Sequence, residues 1–129
     1  MLYTPNLQHR NASFAAQKSQ WSISTADEIN CFNQSVASRW SCSKNFQWGL
    51  CINGATPVYL GVSQLPQQYS LFVAKFVSDQ QSNWHGYPVA PWLSPFDKPS
   101  KNVVDIWKNS GLITSSQRAR IMRGKLCSL

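Results

Sequence analysis

Residues 69–89 read YSLFVAKFVSDQQSNWHGYPV, and this stretch decides the fold. Between Tyr69 and Ser78, the side chains of Leu71, Val73, Lys75 and Val77 fall on one face of an extended chain, and Phe72, Ala74 and Phe76 on the other. Apolar residues on both faces predict a central strand covered on both sides. The polar run 79–83 predicts a turn. Residues 84–89 then return as the hairpin partner, with Pro88 marking a sheet edge or the strand's end.

Upstream, residues 46–52 read as a strand, Asn53-Gly54-Ala55-Thr56-Pro57 as a turn and 58–62 as a second strand. Thr25-Ala26-Asp27-Glu28 has the spacing of a capping box, in which Thr25 caps and Glu28 reaches back to its amide. Ile29, Phe32 and Val36 follow at helical spacing and predict a helix over 26–38. Both acids of that segment are thereby assigned to the positive helix start. Residues 1–23 are polar and irregular, an arm that either packs on the body through Phe14 and Trp21 or stays partly disordered.

Downstream, Pro91, Pro95 and Pro99 make a stiff connector with Trp92, Leu93 and Phe96 as packing points. Ser100 caps a helix over 101–109 that Gly111 ends, with Val103, Val104, Ile106 and Trp107 on one arc and Lys101, Asp105 and Lys108 opposite. Asp105 has lysines four residues before it and three after, which predicts ion pairing along the helix. Thr114-Ser115-Ser116-Gln117 is a second capping box, opening a helix over 115–123 that stops at Gly124. The fold class is α+β in one domain over 1–129: the arm, a body over 24–97 and a basic helical cap over 98–129. The body holds an N-terminal helix and a small antiparallel sheet of about four strands, and the cap is a two-helix hairpin.

Charge is concentrated in the cap. Residues 98–129 carry seven basic side chains against Asp105 alone, while the first 97 residues are nearly neutral, out of a total of +7. Such a tail is expected to meet an anionic partner, and phosphate is the commonest. The leading reading is a cytoplasmic protein that binds RNA or DNA through Lys101, Lys108, Arg120, Arg123 and Lys125, with Trp84 and Tyr87 stacking on bases. The helix–Gly–helix invites comparison with a helix-turn-helix. However, Arg118 and Lys125 fall inside the second helix's apolar arc, so a packed hairpin with solvated basic ends fits equally well.

Two further classes stay open. Small size and many aromatics suit a protein-interaction module of toxin–antitoxin, immunity or adaptor type. Alternatively, His85 acts as general acid or base in a metal-independent ribonuclease-type toxin, with Tyr87 on the same strand face and the C-terminal arginines on the phosphate. Cys31, Cys42, Cys51 and Cys127 form no C-x-x-C pair, and the two histidines complete no zinc pattern, so neither metal nor cofactor is expected. Phosphate-binding glycine loops and the G-x-S-x-G elbow are absent, which removes the usual nucleotide-binding and serine-hydrolase classes. No leader-like apolar run follows Met1 and none approaches membrane-spanning length, so reduced thiols and no membrane partner are expected.

Overall fold

A computed structural model describes residues 1–43 and 45–129. In chain order its elements are β1 (Leu2–Tyr3), β2 (Gln20–Trp21), α1 (Thr25–Ala37), β3 (Ser41–Ser43), β4 (Phe46–Gly49), β5 (Cys51–Asn53) and β6 (Thr56–Val58). They continue with β7 (Gly61–Val62), β8 (Ser70–Leu71), β9 (Val73–Ser78), β10 (Asn83–Val89), α2 (Lys101–Asn109) and α3 (Ser115–Met122). Among the described residues the strands form three sheets: five strands in the order β1-β10-β9-β4-β3, three in the order β2-β7-β8, and the hairpin β5-β6. Mixed α and β structure is as expected. The four-stranded antiparallel sheet is corrected to a five-stranded one whose edge strand β1 runs parallel to β10.

Strand β9 is central, antiparallel to β10 on one side and to β4 on the other. Its two faces feed two apolar clusters. Ala74 and Phe76 pack with Phe32 of α1, Trp21, Leu60 and Trp84; Val73 packs with Trp40, Trp48, Val89, Ile121 and the Val103, Val104 and Trp107 arc of α2. The chain breaks between β8 and β9 at Phe72, which resets the alternation. Leu71 therefore joins the cluster of Ala74 and Phe76 rather than that of Val73. Likewise the strand expected over 46–52 breaks at Leu50, because Cys51–Asn53 turns away to pair with Thr56–Val58.

Gly86 sits opposite Phe76 in an unbroken β9–β10 register. A Cβ there would lie 2.1 Å from Phe76 Cδ1, so the missing side chain lets the Phe76 ring lie across β10. Lys75, on the face of Val73, is buried. Its Nζ lies over the rings of Phe46 and Trp48, 5.0 and 5.5 Å from their centroids. The ammonium donates to the Phe96 carbonyl at 2.6 Å and lies 3.8 Å from Asp97. It thus ties the turn Pro95–Asp97 to the central strand.

The second capping box forms as its spacing predicts: Thr114 Oγ1 accepts from the Gln117 amide at 3.0 Å, and the Thr114 amide donates to Gln117 Oε1 at 2.8 Å. The first does not. Ser24, not Thr25, caps α1, accepting from the Asp27 amide at 3.1 Å. Glu28 turns inward and is fully buried, where Arg10 donates to Oε1 through Nε (3.0 Å) and Nη2 (2.8 Å), and the Tyr3 hydroxyl donates to Oε2. Arg10 Nη1 also reaches the Ile23 carbonyl at 2.9 Å. Burial and the adjacent carboxylate push the Tyr3 phenol well above its ordinary value, so it stays a donor. Residues 1–23 are held on the body through these contacts. Among the described residues no helix is long and apolar enough to cross a membrane.

Candidate functional site: a two-histidine cleft beside the basic cap

Strand β10 has its second neighbour only at its start, where β1 pairs with Asn83 and Trp84. Further along, its free carbonyls are met by side chains. The Trp21 indole donates to Gly86 at 3.3 Å, and the Ser19 hydroxyl donates to Pro88 at 2.7 Å. This docking brings residues 6–19 against β10 and leaves a cleft of about 560 Å³, lined among others by His9, Lys18, His85, Tyr87, Ser94 and Asp97.

His9 lies in a 3-10 turn over Leu7–Arg10 whose start is capped by Asn6, and its ring is buried. Its Nδ1 is 2.8 Å from the Ser19 carbonyl. A carbonyl only accepts, so Nδ1 carries the proton and Nε2 keeps its lone pair. No protein group among the described residues bonds Nε2. The ring stacks on Tyr87, centroids 5.0 Å apart and planes 12° from parallel. Burial, helped by the neighbouring Lys18 and His85 side chains, pulls the His9 pKa below the usual histidine value; the bond to Ser19 opposes this. Burial also raises the Tyr87 phenol and the Asp97 carboxyl, the latter opposed by Lys75.

The His9 shift has a stability consequence. As pH falls through about 6.5, the unfolded chain binds a proton at His9 that the folded chain refuses until its lower pKa is reached. His9 therefore contributes no slope at higher pH and a loss of stability on acidification. Urea midpoints at pH 7.5 and 5.5 should show a larger acid loss for the wild type than for His9→Gln. Equal losses would mean that His9 is freely protonated in the fold.

The cap's cations divide into two groups. Asp105 accepts from Lys101 at 2.8 Å and from Arg118 of α3 at 2.5 Å, and these two bonds hold its pKa at about 2. The expected partner Lys108 is thus replaced by Arg118, which crosses from the other helix. Arg120 closes on the Leu126 carbonyl at 2.8 and 2.6 Å, and Lys98 donates to the Met122 carbonyl at 3.2 Å. Lys108, Arg123 and Lys125 are exposed and have no protein partner among the described residues.

Of the residues expected to form a site, His85 and Tyr87 share the cleft, while the cap cations do not line it. Trp84 is a core residue, 4% exposed and 5.4 Å from the Phe32 ring centroid, with no face free for a base. The reverse holds in the connector: Leu93 and Phe96, expected to pack, are exposed, Phe96 at 81%. The cleft and the cap meet at Leu93 and Ser94, which line both the cleft and a groove bounded by Lys98, Arg123 and Gly124. His9, Lys18 and Phe96 were absent from the expected site. Compared with protein-family models, with curated proteins and with solved structures, the chain matches none.

Proposed function

We propose that the protein binds nucleic acid through its phosphate backbone, using the C-terminal helical cap. One observation carries this reading: the cap's single acid is already neutralised by two cations, and Lys108, Arg123 and Lys125 still stand exposed without a partner among the described residues. Solvated lysines and arginines of this kind release counterions when they meet phosphates, which drives binding without sequence preference. Lys101 and Arg120 contribute to the field of the cap rather than as free contacts, because each already has a protein partner. Phe96 supplies the exposed aromatic face that Trp84 lacks, next to the groove bounded by Lys98 and Arg123.

Three phosphate contacts predict a slope of log affinity against log salt of about −2 on single strands and about −3 on duplex. Affinity for a labelled oligonucleotide should then fall roughly 20- to 40-fold between about 50 and 200 mM salt. Fluorescence anisotropy across that range checks it. Affinity that does not change with salt would remove the phosphate contacts and leave a protein partner as the better reading.

A further inference from the structure

The cleft beside β10 carries a chemistry that phosphate binding alone does not use. Two imidazoles line it from different parts of the chain, His9 from the N-terminal turn and His85 from β10, and Lys18 lines it with them. The His9 tautomer is set by the Ser19 carbonyl, which leaves a proton-accepting Nε2 on a ring held flat against Tyr87. Ser19 is itself anchored to the Pro88 carbonyl, so the base, its orienting group and β10 form one connected unit. His85 is only half-buried and hence open to a ligand in the cleft.

We propose that this cleft is a general acid–base site that cleaves RNA, with His9 as the base, His85 as the acid and Lys18 on the phosphate. The inference rests on the nucleic-acid reading above and names its substrate. In the step, His9 Nε2 takes the proton of a ribose 2′-hydroxyl while O2′ forms a bond to the adjacent phosphorus. The bond from phosphorus to the 5′-oxygen breaks, and that oxygen takes a proton from the imidazolium of His85. The products are a 2′,3′-cyclic phosphate and a free 5′-hydroxyl. Each histidine ends in the other's protonation state, and water resets both when it opens the cyclic ester.

Lys18 supplies the positive charge that the phosphorane oxygens need. Asp97 is the one acid lining the cleft among the described residues, and the Lys75 ammonium 3.8 Å behind it offsets its charge toward an incoming phosphate. The shared wall at Leu93 and Ser94 lets a single strand run from Arg123 and Phe96 into the cleft, which gives the cap a positioning role.

The test incubates the full chain with a labelled single-stranded RNA and with the same sequence in DNA, following both anisotropy and product length. The expected result is RNA cut to fragments that end first in 2′,3′-cyclic phosphate and, once water has opened it, in 3′-phosphate, with the DNA bound but intact. His9→Asn, whose amide nitrogen takes the place of Nδ1 and can still donate to the Ser19 carbonyl, and His85→Ala should each slow cleavage by about 10²-fold or more with RNA binding unchanged. Added imidazole should restore part of the His85→Ala rate. RNA that is bound and never cut overturns this inference alone, as does cleavage at an unchanged rate in both histidine variants. RNA and DNA that are not bound at all overturn the phosphate-binding reading and this one with it.

Discussion

Glu28→Ala lowers the unfolding free energy by about 3–5 kcal/mol, a large part of what a domain of this size has. The carboxylate is fully buried, and it receives both arms of the Arg10 guanidinium together with the Tyr3 hydroxyl. Truncation leaves the Arg10 charge, 18% exposed, with the Ile23 carbonyl and the Trp21 ring 6.0 Å away, and leaves a half-buried phenol without its acceptor. It also loosens the hold of Tyr3 and Arg10 on α1, while Ser19, Trp21 and the β2–β7 pairing keep the rest of the arm docked. Arg10→Ala should cost a comparable amount, and the double variant less than the sum of the two, since the second loss no longer orphans a charge. Urea unfolding followed by tryptophan fluorescence measures all three. Additive costs would mean that the two side chains act independently.

Trp107→Ala should cost about 3–5 kcal/mol, the usual range for emptying a large aromatic from a packed core. The residue has no exposed surface and meets Trp40 edge-on at 5.8 Å, between α2 and the sheet. Its indole Nε1 is buried with no partner among the described residues. Trp107→Phe removes that unpaired donor along with part of the ring. The two effects oppose each other, so this variant should stay within about 1 kcal/mol of wild type. A phenylalanine variant as unstable as the alanine one would show that the indole nitrogen is bonded in solution.

Legibility in the sequence followed the range of the interactions involved. The covered strand β9, the α2 arc and the Thr114 box are local patterns whose determinants lie within a few residues, and these were readable. An acid in the first turn of a helix looks the same whether it caps the helix or, like Glu28, turns into the core. Only the distant Arg10 and Tyr3 decide between the two. Strand β1 is two residues long and pairs parallel with residues some eighty positions away, so it has no periodicity to read. Trp84 and Phe96 exchanged expected places for a related reason: which aromatic is covered depends on α1 packing over one and nothing packing over the other. His85 and Tyr87 were legible as a pair through the two-residue strand period. His9 was not, because Tyr87 and the cleft it shares with His85 come to it through the docking of the arm on β10.

The most direct test of the account reverses the three free cations of the cap. Lys108→Glu/Arg123→Glu/Lys125→Glu should weaken binding of a labelled oligonucleotide at about 50 mM salt by well over 20-fold and flatten what remains of its salt dependence. Arg39→Glu, an exposed reversal at the end of α1, serves as the control and should leave most of the affinity intact. A reversed cap that binds as tightly as the wild type, with the same salt slope, would contradict the claim that this surface meets phosphate.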